Sequence, residues 1–343
     1  MKFLIVKPSS LGDILHAFPA VSMLLSAHPG SEVHWVVQPA FSGLLEYLPG
    51  VSRCIPFDRA SLGRVSTFPG AFRSLIRDLR TDSYDAAIDL QGLIRSAGIL
   101  SLVRSGCRCG PAHPKETAAA LFYGKKLEAA SEALHALEKN SSMMADFLGR
   151  KEYFCDYEMP MIPHNRDSAR RLFAGSPVPY CSRLVVISPG ARWETKQWPP
   201  SFFSALIREL AGKGEDLTFV LAGSPSEAEL SREVIRGAGE LPLLDLTGKT
   251  SLGELVEILR SASLFICNDS GPMHIASMLG IPVLALFGPT SPELTGPYCR
   301  RKTVLQPELD CIRCMKRYCD KKLCHAALDP AAAAAEGAAL LKN

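Results

Sequence analysis

The sequence predicts an α/β protein built from two Rossmann-like halves with parallel sheets, and three observations carry that reading. Short apolar runs alternate with helical patterns along most of the 343 residues, the repeating unit of a parallel sheet. Several of these runs end in polar, glycine-bearing turns of the kind that line a ligand crevice at the carboxyl end of a strand. A stretch from Asp156 to Arg183, carrying Pro160, Pro163, Pro177 and Pro179 around a short helical pattern near Asp167 to Phe173, interrupts the alternation before it starts again. The length suffices for two domains, each with its own core. The expected boundaries are 1–165 and 166–325, with 326–343 as a terminal helix packed back on the body.

Composition excludes several classes. With 47% apolar and 21% charged residues the chain reads as a soluble globular protein. A net charge of +3 gives no global field that calls for nucleic acid. The apolar run Phe3 to Val6 is too short for a signal-peptide core, and no stretch approaches the roughly 18 to 20 apolar residues of a membrane span. A cytoplasmic location is expected, and with it thiols or metal ligands rather than disulfides among the 11 cysteines.

Lys2 to Val6 reads as the first strand, followed by the turn Lys7-Pro8-Ser9-Ser10-Leu11-Gly12-Asp13 and a helix from about Ile14 to Ser26. Pro29-Gly30 closes the helix and Val33 to Val37 is the next strand, so the chain opens on a βαβ unit. No strand is followed by G-x-G-x-x-G, which argues against a dinucleotide dehydrogenase. Asp13 stands where the helix dipole favours an ionised carboxylate; it is either a capping acid or a general base at the crevice. Between Arg53 and Arg80, the arginines 53, 59, 64, 73, 77 and 80 outnumber Asp58 and Asp78. Such a run is a solvated helix face or a patch for an acidic ligand at a membrane surface. Tyr84 to Asp89 is a strand whose crevice loop holds Gln91, Gly92 and Arg95; Cys107 to Pro111 reads as a Cys-rich turn before His113, Lys115 and Glu116.

Leu184 to Ser188 restarts the pattern, and Pro189 to Pro199 is its crevice loop, with Gly190, Arg192 and Lys196. The two cations either neutralise a diphosphate or are surface charge; Trp198 and Pro199 read as anchors for the helix Pro200 to Ala211. Leu217 to Ala222 is a strand closed by Gly223-Ser224-Pro225, with Glu227 beyond, and Leu243 to Leu246 leads into Thr247-Gly248-Lys249. Loops of this kind bracket a purine and a ribose, and Glu227 is placed for the ribose hydroxyls. The half is organised around the strand Leu264 to Cys267, the turn Asn268-Asp269-Ser270-Gly271, the helix Met273 to Leu279 and the strand Pro282 to Phe287. The free N–H groups of that helix point into the crevice, where Asp269, Ser270, Gly271 and His274 can hold sugar hydroxyls and a phosphate. A plainly capped helix is the alternative. Near the end, Cys311, Cys314, Cys319 and Cys324 have the spacing of a tetrahedral structural site for zinc or iron, with free or redox-active thiols as the rival reading. Ala331 to Leu341 is a high-propensity helix.

Four stretches in this order resemble the lipopolysaccharide heptosyltransferases, family 9 glycosyltransferases of GT-B fold: Lys7-Pro8-Ser9-Ser10-Leu11-Gly12-Asp13-Ile14-Leu15-His16, Asp89-Leu90-Gln91-Gly92-Leu93, Pro189-Gly190-Ala191-Arg192-Trp193 with Lys196 and Trp198-Pro199, and Asn268-Asp269-Ser270-Gly271-Pro272-Met273-His274. The resemblance covers nearly the whole chain. It implies two Rossmann-like domains whose sheets face a central cleft, and transfer of a heptose from ADP-heptose to the lipopolysaccharide inner core, with inversion and without a catalytic metal. By that likeness Asp13 is the base, Lys196 binds the diphosphate, and Asp269, Ser270 and Gly271 hold heptose and phosphate. Arg64, Arg95 and Lys115 would meet an acidic lipid A-Kdo acceptor at the inner membrane surface, with peripheral membrane contact. The cysteine cluster resembles what members closer to the second heptosyltransferase carry. Two other classes stay open at this point: a nucleotide-sugar 2-epimerase, and a non-enzymatic nucleotide- or glycan-binding protein.

Overall fold

The structure, a computed structural model, describes residues 1–176, 183–213, 216–321 and 323–342, so the linker prolines Pro177 and Pro179 lie outside the described residues. Met1–Pro160 and Met161–Asn343 form two compact units.

The first unit holds strands β1 (Lys2–Val6), β2 (Glu32–Val37), β3 (Val51–Pro56), β4 (Tyr84–Asp89), β5 (Ser105–Pro111) and β6 (Lys125–Leu127). They pair in parallel in the order β3-β2-β1-β4-β5-β6. Phe3, Leu4, Ile5 and Val6 are all buried, because helices cover both faces of a parallel sheet and its inner strands are apolar throughout rather than alternating. The order reverses between β1 and β4, so the connections after these two strands diverge and open a crevice at their carboxyl ends.

The second unit repeats this winding with β7 (Arg183–Ser188), β8 (Leu217–Leu221), β9 (Leu243–Asp245), β10 (Leu264–Asn268), β11 (Val283–Leu286) and β12 (Lys302–Leu305), in the order β12-β11-β10-β7-β8-β9. Its switch point falls between β7 and β10, which pair from Leu264–Val185 to Cys267–Ser188. The helix Pro330–Lys342 lays Ala333, Ala334, Ala338, Leu340 and Leu341 into the same core as Leu206, Leu210 and Phe219. Trp198 is fully buried, edge-on to Phe202 and Phe203, and so anchors the helix Pro200–Ala211.

Two expectations need correction. The single helix after β1 is two, Leu11–Leu15 and Phe18–Ala27. Pro19 has no N–H to continue the first helix and its ring would strike the carbonyl a turn earlier, yet it fits the first turn of a new one. Cys107 to Pro111 is no turn but part of β5, aligned with β4 from Tyr84–Ser105 to Ile88–Cys109. Pairing with neighbours on both sides overrides the poor strand propensity of its glycine and proline. No helix among the described residues is long and apolar enough to cross a membrane.

Candidate active site

In the first unit the site grows from the end of β1. Ser10 caps the helix Leu11–Leu15, Gly12 is buried in its first turn, and Asp13 is its third residue. The carboxylate therefore folds back on the cap, where the Ser10 N–H and the Ser10 hydroxyl each donate to Oδ2 at 2.9 Å. Lys115 Nζ stands 3.6 Å from the other oxygen, and the Asp13 side chain keeps 28% exposure. Asp13 is thus a capping acid with one oxygen still open to a reactant.

Beneath it lies Lys7, a residue whose role the sequence reading passed over. It is buried, donates from Nζ to the Leu90 carbonyl at the end of β4, and has its own carbonyl bonded by Trp35 Nε1 at 3.2 Å. Burial pulls its pKa down to about 8 against the opposing pull of Asp13. For Asp13, burial works upward, but Lys7, Lys115, the Ser10 N–H and His16 outweigh it and hold the carboxyl far below its ordinary range. Asp13 is ionised at neutral pH. The Lys7 shift has a testable sign: the folded chain releases this proton near pH 8 while the unfolded chain keeps it to the ordinary lysine value of 10.5. Unfolded chains then bind more protons in that window, so stability from this group rises with pH. In urea titrations the wild type should gain on Lys7→Met between pH 8 and pH 10.5; a constant gap would contradict the burial of a charged lysine.

The β4 connection is held from below by Asp89. Its buried carboxylate accepts from the Gln91 N–H at 2.7 Å, the Gly92 N–H at 3.3 Å, Ser96 Oγ at 2.8 Å and the Tyr123 hydroxyl at 2.7 Å. Gln91 is buried by this arrangement, with its Oε1 lacking a hydrogen-bond partner. Gly92 has φ +70°, and a Cβ there would stand 3.1 Å from Pro111 Cγ and 3.3 Å from Lys115 N. Only glycine allows this approach, and the approach is what brings Lys115 to Asp13. Arg95 is exposed and shares a small pocket with Gln91 and Arg59.

In the second unit Asn268, buried at the end of β10, ties the loops together. Its Oδ1 accepts from the Trp198 N–H at 3.1 Å and its Nδ2 donates to the Pro189 carbonyl at 2.7 Å. Next to it Asp269 Oδ2 takes Lys196 Nζ at 2.6 Å and the Thr290 hydroxyl at 2.6 Å, with side-chain exposures of 7% for Asp269 and 16% for Lys196. Ser270 caps the helix Gly271–Met278, and its hydroxyl oxygen is buried with no hydrogen-bond partner. His274 is buried in the first turn. Gly190 gives way to Glu227, whose Oε1 would lie 1.9 Å from an added Cβ. Glu227 Oε2 is engaged by the Ser224 N–H at 2.5 Å and the Ser224 hydroxyl at 2.9 Å, so this carboxylate closes its own turn against the β7 loop. Thr247 bonds Asp245 through its N–H at 2.9 Å and Ser231 through its hydroxyl at 2.7 Å; the Gly248 N–H donates to the Gly223 carbonyl at 2.8 Å. Arg192 is exposed on the same loop as Lys196.

The cysteine set is not assembled. Cys311 and Cys314 are exposed, Cys319 and Cys324 half-buried, and no three His, Cys, Asp or Glu side chains among the described residues form a metal-holding group. Arg313 and Met315 adopt left-handed φ of 60° and 56°, and the loop is bonded to its neighbours. The Met315 N–H reaches the Pro289 carbonyl at 2.9 Å, and the Thr195 hydroxyl reaches the Lys316 carbonyl at 2.8 Å. The expected zinc or iron site is therefore not supported among the described residues.

Lys7, Asp89, Asn268 and Thr290 were missed as site residues. The first three share one signal, a polar residue closing an apolar strand; Thr290 lies two residues beyond the Phe287-Gly288 turn and had none.

Two six-stranded parallel sheets with the same winding, one in each unit, are the architecture of the GT-B fold. Residues 72–325 match the profile of glycosyltransferase family 9 (heptosyltransferase), and the chain belongs to that family. It is 31% identical to lipopolysaccharide heptosyltransferase 1 of Pseudomonas aeruginosa, over 93% of this chain and 87% of that one. With lipopolysaccharide heptosyltransferase 1 of Escherichia coli K12 it shares 30% identity over 89% and 93% of the two chains. Among solved structures, E. coli heptosyltransferase WaaC with ADP superposes at a TM-score of 0.74 and 27% identity, covering 89% of this chain and 92% of that one. The family 9 glycosyltransferase of Veillonella parvula shares the fold at a TM-score of 0.83 and 21% identity, over 99% and 97% of the chains. The chain is accordingly a glycosyltransferase, which sets aside the 2-epimerase and the non-enzymatic binding protein.

Proposed function

We propose that the chain is an inverting heptosyltransferase that moves a heptose from ADP-L-glycero-D-manno-heptose to the Kdo of a lipid A-Kdo acceptor in the lipopolysaccharide inner core. The observation that carries this reading is Asp13, a carboxylate held ionised by Lys7 and Lys115 with one oxygen left open. An acceptor hydroxyl is a poor nucleophile at neutral pH, and one such carboxylate is the minimum device to take its proton. The hydroxyl oxygen then bonds to the anomeric carbon as the bond from that carbon to the diphosphate breaks, and ADP leaves with the electron pair. Inversion needs no second, covalent carboxylate. The charge that develops on ADP falls to Lys196 and to the amino end of the helix Gly271–Met278. Thr247 and Gly248 stand beyond the end of β9 for the nucleoside, with Glu227 bracing the turn beside them. Kdo as acceptor is favoured by the relatives at 30% identity and above, which are named lipopolysaccharide heptosyltransferase 1, and the exposed Arg95 suits its carboxylate. The work would be done on the cytoplasmic face of the inner membrane, with peripheral contact through the arginine run 53–80.

The test is a panel of ADP-heptose with lipid A-Kdo, with and without a first heptose, read by mass spectrometry. Mass gain by one heptose on the acceptor that lacks one is expected; consumption of ADP-heptose without any acceptor product would sink the reading, and gain only on the heptosylated acceptor would move the assignment to the second transfer. Because Lys196 and the helix end meet the leaving-group charge, EDTA in the assay is expected to leave the transfer rate unchanged, and a loss restored by added divalent ion would contradict that account.

A further inference from the structure

The cysteine-rich loop is fastened beside the Lys196–Asp269 pair. Besides the bonds from Thr195 and Met315, its Arg313 pairs with Glu293 at 2.5 Å and donates to Gln306 at 3.3 Å. Gln306 in turn donates to the carbonyls of Gly288 at 3.0 Å and Thr290 at 2.7 Å. Thr290 is the residue whose hydroxyl holds Asp269, and Thr195 is the residue before Lys196. The loop therefore grips both neighbours of the pair.

What it carries there is Arg317. Its guanidinium carbon lies 4.9 Å from the centre of the Trp193 ring, and Lys196 Nζ lies 4.6 Å from the same ring centre. The separation of the two charges is bounded by those distances laid end to end, comparable to the Debye length of about 10 Å at 0.1 M salt, so each feels the other. Lys196 is neutralised by Asp269, whereas Arg317, exposed, forms no ion pair among the described residues. An indole face steadies a cation but cannot cancel its charge. The Arg317 charge is thus left to meet an anion.

We propose that Arg317 is a further donor-binding residue, holding the diphosphate of the nucleotide sugar together with Lys196, with Trp193 as the positioning residue that orients its guanidinium. A guanidinium forks onto phosphate oxygens through two parallel N–H bonds, which an ammonium cannot do. The inference rests on the reading of Lys196 as a diphosphate ligand, and it gives the cysteine loop a part in donor recognition that does not depend on its thiols.

Calorimetric titration of the full chain with ADP and with AMP separates the possibilities. Arg317→Ala should bind ADP about tenfold more weakly, the size of one charge-assisted contact, and AMP nearly as the wild type does. Arg317→Lys should recover part of the loss, and in the transfer assay Arg317→Ala should raise the donor KM with kcat little changed. Equal ADP affinity in wild type and Arg317→Ala overturns the inference and leaves the heptosyltransferase reading standing. An equal loss for ADP and AMP also overturns it, because the loop would then act by packing alone. A wild type that binds neither nucleotide defeats the reading of Lys196 itself.

Discussion

Replacing Asp13 by Asn is expected to lower heptose transfer by about 10²- to 10⁴-fold, the range of a positioned general base, while ADP binding survives. The substitution is nearly isosteric, and an amide oxygen can still accept from the Ser10 N–H and hydroxyl that now bond Oδ2 at 2.9 Å. What disappears is the negative charge that takes the proton and that faces Lys115 at 3.6 Å. Nucleotide recognition, which the proposal places in the second unit, should be untouched. Transfer kinetics and ADP calorimetry on one preparation decide the matter: lost ADP binding would make Asp13 a structural residue, and retained transfer would remove it from the chemistry. The wild-type acid limb follows from the same environment. Because the Asp13 carboxyl is held well below its ordinary range, its stabilising contribution is complete above the unfolded-chain value and declines only as pH falls toward the folded one.

Lys196→Met should be the costliest single change in the second unit. The pair with Asp269 is 2.6 Å long and nearly enclosed, and removing one partner of a buried pair costs about 3 to 5 kcal/mol because the other charge is left with too little solvation. Thr290 alone would remain on Asp269. Denaturant unfolding should show that loss together with loss of ADP affinity. The double variant Lys196→Met/Asp269→Asn, which removes the stranded charge, should regain most of the stability and none of the affinity. Recovery of affinity in the double variant would show that Lys196 acts only through Asp269.

The stretches that were legible share a physical cause. Strands buried on both faces of a parallel sheet must be apolar throughout, so Lys2–Val6, Tyr84–Asp89 and Leu264–Asn268 announce themselves, and the polar residues right after them fall at the ligand end by topology alone. Asp13, Lys196 and Asp269 were singled out by that rule. Edge strands such as Val51–Pro56 and Lys302–Leu305 were not, being only partly buried, and Ser105–Pro111 was hidden by residues that favour turns.

By itself the sequence determined the class of fold, the two windings, the family, and which loops stand at the carboxyl ends of the strands, because apolar period and turn composition are local properties of the chain. Tertiary structure decided the partnerships: Lys7 beneath Asp13, Gly92 admitting Lys115, Glu227 closed on Ser224 and Gly190 rather than left open, and the cysteine loop fastened to Pro289 and Thr195. Each joins residues far apart in the chain or chooses among several partners within reach. Charge and hydrogen bonding act over a few ångströms of space, and spacing along the chain carries no record of that distance.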